Sequence, residues 1–96
     1  MSERTAPALA KLDVLLPLLR QLPTSADQAV LVEETEALRR AVDAFHMEAI
    51  RFRMYRVDRR LHEVAGGEQA RQAFDEVRHA LEAAGFHTRS HAAPGT

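Results

Sequence analysis

Residues 25–64 run for forty positions without a Gly or Pro, and their apolar residues change face halfway along. In the first half Leu31, Leu38, Val42, Phe45, Ala49 and Phe52 recur at helical spacing. In the second half Met47, Ile50, Met54, Val57, Leu61 and Val64 do the same on another side. At about 100° per residue, the two stripes point roughly 135° apart. A helix that buries different sides at its two ends must serve two packing surfaces or break between them. Length sharpens the choice. A continuous helix would span about 60 Å, whereas a compact chain of this size is roughly 32 Å across. Either the segment breaks around Phe45–Ala49, or its protruding half meets another chain. No Gly, Pro or turn cluster marks a break, so the sequence predicts one long central helix over 25–65 and an isologous partner to cover it.

The flanks are helical as well. Residues 7–22 carry a leucine stripe (Leu9, Leu12, Leu15, Leu16, Leu19, Leu22) interrupted by Pro17. Proline removes a backbone donor and clashes one turn back, which predicts a kinked helix or two short pieces. Ser25 followed by Gln28 fits a capping box that opens the central helix. Gly66-Gly67 closes it, because glycine takes the left-handed conformation without steric cost. A third helix is expected over 68–84 on the stripe Ala70, Ala73, Phe74, Val77, Leu81 and Ala84. Gly85 should cap it, with Phe86 folding back onto its last turn. The small, polar residues 87–96 read as a flexible tail. The fold class is therefore all-α: a single domain, 1–96, forming a small helical bundle completed by oligomerisation.

Composition narrows the chemistry. The 96 residues include no Cys, which removes disulfides, thiolate metal sites and cysteine nucleophiles. With no recognisable leader, this points to the cytoplasm. The formal net charge of −1 argues against bulk attraction to nucleic acid or anionic lipid. Thr35 and Tyr55 are the only hydroxyl residues away from caps and tail, and neither sits in a nucleophile–base pattern. The sequence predicts no enzyme and no cofactor.

Three constellations remain. Arg51, Arg53, Arg56, Arg59 and Arg60 form a basic segment in which Arg53, Arg56 and Arg60 share a face. Guanidinium forks suit phosphate oxygens, so a nucleic-acid-binding regulator is one alternative. The competing reading pairs these arginines with Glu33, Glu34 and Glu36 of an antiparallel neighbour. Asp43 with His46, and Glu76 with His79, have the spacing of helical carboxylate–histidine metal ligands; Asp43, His46, Glu48 and a partner-chain residue are the candidate set. The plainer reading of His46 is a partly buried histidine at the crossover, hydrogen-bonded to Asp43 or a backbone carbonyl. Finally, Met47, Met54 and Tyr55 beside Phe52 suit either a ligand groove or a core.

The expectation that unites these features is association: a non-enzymatic protein–protein module, homodimeric or larger, that acts as scaffold, adaptor or regulatory subunit. Its candidate interface is Met47, Ile50, Met54, Val57, Leu61, Val64, Phe45 and Phe52. The first half of the central helix should pack on the leucine-rich N-terminal segment, and the second on the third helix or another subunit.

Overall fold

The computed structural model describes residues 3–86. The expected tail at 87–96 lies outside them. Four helices account for the fold: α1 (Ala6–Arg20), α2 (Ala26–Asp43), α3 (Met47–Leu61) and α4 (Glu68–Ala83). The bundle measures 34 × 32 × 19 Å, about two helix layers thick.

The continuous central helix is corrected: it breaks between Asp43 and Met47. The chain there makes a Schellman turn, with His46 N–H donating to Ala41 C=O (3.1 Å) and Phe45 N–H to Val42 C=O (3.1 Å). The left-handed position that such a turn requires is taken by Phe45, at φ 57°, where glycine is usual. His46 then caps α3, its Nδ1 accepting from Ala49 N–H at 3.2 Å. One residue thus ends α2 and starts α3. The Phe45 ring is held edge-on against Phe86, centroids 5.3 Å apart, with the Arg4 guanidinium 5.6 Å from its centre. Tertiary contact supplies what local propensity lacks.

The break explains the change of face. α2 and α3 fold back as a hairpin and bury their stripes against each other. α2 packs most extensively on α3 and less on α1, whereas α3 touches α4 only sparsely. This corrects the expected pairing within the chain, of the first half mainly with α1 and of the second with α4. The other large contact joins α1 to α4. Leu12, Leu15, Leu19, Leu31, Leu38, Ile50, Val57, Leu61, Phe74 and Leu81 are all sealed from water in one continuous core.

Pro17 does not split α1, which runs as one helix through it. The proline costs α1 the single bond to the Asp13 carbonyl one turn earlier, and Pro17 and Asp13 both lie on the exposed side of the helix. Ser25 caps α2 by accepting from Gln28 N–H at 3.0 Å. The Gln28 side chain, instead of closing the box, donates to Leu19 C=O at 3.0 Å and fastens α2 to the end of α1. α4 ends as its sequence predicts: Gly85 sits at φ 97°, Phe86 N–H donates to Leu81 C=O at 2.8 Å, and the Phe86 ring is buried.

Candidate functional site

The residues proposed as an interface divide into two groups. Ile50, Met54, Val57 and Leu61 form the inner face of α3 and are covered by the chain's own helices. Val64 is half-buried against the same core. Phe45, Met47 and Phe52 remain outside, the last two 48% and 44% exposed. The helical break causes this division, because the second stripe finds its partner in α2. What a binding partner can still reach is the opposite side of α3.

That outer side is arginine and aromatic. The Phe52 ring carries two guanidiniums, with Arg53 Cζ 5.3 Å and Arg56 Cζ 5.7 Å from its centre. Such cation–ring contacts are worth about 0.5–1 kcal/mol each where water reaches them. One turn on, Arg59 lies 5.8 Å from the centre of the Tyr55 ring and donates to the phenol oxygen at 3.1 Å. An open groove of about 330 Å³ runs beside Tyr55, Arg56, Arg59, Arg60 and Glu63.

Glu34 on α2 organises the edge of this face. Its side chain is only 12% exposed. It accepts from Arg56 Nε at 3.2 Å and Nη2 at 3.0 Å, a two-point fork, and from Arg53 Nη1 at 3.3 Å. The Arg56 hydrogen bonds, reinforced by the positive charges of both arginines, hold the Glu34 carboxyl below its ordinary value despite partial burial. Arg60 turns to Glu63 at 3.4 Å. Arg53, Arg56 and Arg60, named as an anion-binding strip, therefore each have a carboxylate partner. The antiparallel acidic neighbour exists, but it is the chain's own α2.

The carboxylate–histidine candidates are not brought together. His46 uses Nδ1 as a helix cap, and Asp43, His46 and Glu48 are all exposed. His79 Nδ1 stands 4.0 Å from Glu76 on the outside of α4, and Glu76 also faces Lys11 at 3.5 Å. Among the described residues, no three His, Asp or Glu side chains group as a metal site would require. Also among them, no helix is long and apolar enough to cross a membrane.

Sequence reasoning paired the arginines with Glu33, Glu34 and Glu36 but missed that Glu34 alone holds Arg53 and Arg56 within one chain, and it missed the outer α3 row of Glu48, Phe52, Tyr55 and Arg59. The row's spacing of four, three and four residues is visible in the sequence, but it mixes acid, aromatic and base, so neither apolar nor basic periodicity marks it. No family model, no curated protein and no solved structure matches this chain.

Proposed function

We propose that this chain is a small, non-enzymatic association module that binds a protein partner through the outer face of α3. The observation that carries this reading is Phe52: a large apolar ring, 44% exposed, in contact with two guanidiniums that Glu34 fixes in place. Aromatic rings and arginines are the residues enriched at protein interfaces and among their energetic hot spots. A fixed guanidinium loses less freedom on binding than a mobile one. Those two arginines share the Glu34 carboxylate and Arg60 pairs with Glu63, so the face carries both signs of charge, which favours a mixed protein surface over a phosphate backbone.

A photo-reactive benzophenone side chain placed at position 52 tests this in the protein's native cells. The expected result is a discrete protein adduct that is absent when the same group replaces Val14, an even more exposed residue on α1. An adduct to nucleic acid, or none, overturns the reading.

A further inference from the structure

Four residues make the outer ridge of α3: Glu48, Phe52, Tyr55 and Arg59. At about 100° per residue they fall within a sector of roughly 60°, opposite the buried Ile50–Leu61 stripe. Their spacing of four, three and four is that of a coiled-coil seam. The order along the ridge is acid, aromatic, aromatic, base. Reversed, it becomes base, aromatic, aromatic, acid, which is its own complement.

We propose that the partner on this face is a second copy of this chain, with the two α3 helices packed antiparallel about a two-fold axis between Arg53 and Met54. This rests on the association reading above. In that register Glu48 meets Arg59 of the second copy, and Phe52 meets its Tyr55. The two-fold repeats both pairs, giving two ion pairs outside two aromatic contacts. Parallel packing would instead set Glu48 against Glu48 and Arg59 against Arg59, which is repulsive at both ends. A head-to-tail contact onto another helix would leave the chain open rather than closed as a dimer.

The charges inside one chain agree with this assignment. Glu48 and Arg59 form no ion pair among the described residues; Arg59 donates to the Tyr55 oxygen and is influenced by the Glu63 carboxylate without pairing to it. Their arginine neighbours Arg53, Arg56 and Arg60 are all paired within the chain. Arg51, on the flank of the ridge, likewise pairs with no carboxylate among the described residues. Of the four ridge residues, the two charged ones form no ion pair inside the chain and are the two that self-pairing joins. A single helix pair makes a small contact, so the dimer belongs among weak, concentration-dependent ones.

Sedimentation of the full chain across the micromolar range decides the matter, with E48R, R59E and their equimolar mixture. The wild type should dimerise, and either variant alone should raise Kd by about tenfold or more, because like charges then face each other. The mixture should recover dimerisation to within about threefold, since one variant's ridge ends are both positive and the other's both negative. A monomeric wild type, or a mixture no better than its components, overturns the proposal. Far-UV circular dichroism checks that each variant folds. If one does not, E48C and R59C take over, in a chain with no cysteine of its own. Oxidising their mixture should give the 48–59 disulfide dimer, and a 48–48 product forming faster overturns the register. The broader association reading fails separately, if benzophenone at position 52 captures no protein at all. It survives the loss of the dimer if that probe captures a different one.

Discussion

Replacing Phe45 by glycine and by alanine turns the break between α2 and α3 into a measurable sign. Both substitutions remove the ring, and with it the edge-on contact to Phe86 and the Arg4 stacking, so that loss cancels in the comparison. What remains is backbone. At φ 57° an alanine keeps a left-handed strain of about 1–2 kcal/mol, which glycine relieves. Glycine gives back about 0.4–1 kcal/mol through the greater freedom of its unfolded chain. The net expectation is F45G more stable than F45A by about 0.5–1 kcal/mol. Were residue 45 inside a continuous helix, the order would reverse, alanine leading by about 1 kcal/mol. The two geometries thus differ by nearly 2 kcal/mol and, more usefully, in sign. Urea unfolding followed by far-UV circular dichroism resolves this if the two variants share one m-value. In thermal scans the gap corresponds to roughly 2–8 °C for a domain of this size. An alanine variant as stable as the glycine variant would refute the turn, and with it the hairpin that positions α3.

Two further outcomes can be checked on the same apparatus. E34Q removes the carboxylate shared by Arg53 and Arg56 while keeping the shape of the side chain. It should cost about 1 kcal/mol at neutral pH, because the arginines are partly solvated and the fork is only partly shielded. Folding lowers the Glu34 carboxyl below its ordinary value of 4.5, so its stabilisation is complete above that pH and disappears as pH falls through the folded value. The wild-type advantage over E34Q should accordingly close in acid; a gap unchanged at low pH would show that the charge contributes nothing. G85A forces a side chain onto φ 97° and brings its Cβ within 2.9 Å of Arg4 Nη2. Arg4 can swing away, so backbone strain dominates, and a loss of about 1–2 kcal/mol is expected in chemical denaturation.

Helix class and most helix ends were legible because they follow from local chemistry. Ser25 accepts from the N–H three residues on, and Gly85 takes the left-handed cap with Phe86 tucked behind it. The Phe45 turn was illegible for the converse reason. Its left-handed residue is one that local propensity disfavours, and it is held by Arg4 and Phe86 from opposite ends of the described chain. Once that turn was missed, the rest of the site followed it. The arginine face was visible from spacing, but its anchoring to Glu34 joins residues 19 and 22 positions apart. Those contacts exist only if the segment doubles back. The face-switching pattern was the correct signal all along, because two stripes on different sides are what a hairpin needs as well as what a protruding helix needs.

The order in which the helices touch also has a kinetic side. The α2–α3 seam closes a short loop, with Glu34 and Arg53 separated by 19 positions, whereas Arg4 reaches the Ala84 carbonyl across 80. Two doublings of loop length add roughly 1.2 kcal/mol of closure entropy, so the central hairpin should nucleate and the outer pair dock onto it afterwards. Truncations along the α2–α3 seam, such as V57A, should then slow folding, while those between α1 and α4, such as L81A, should chiefly hasten unfolding. Stopped-flow chevrons would show the difference as a shift of opposite arms. The same sharp turn that conceals the fold from a reader of the sequence is where the chain begins to find it.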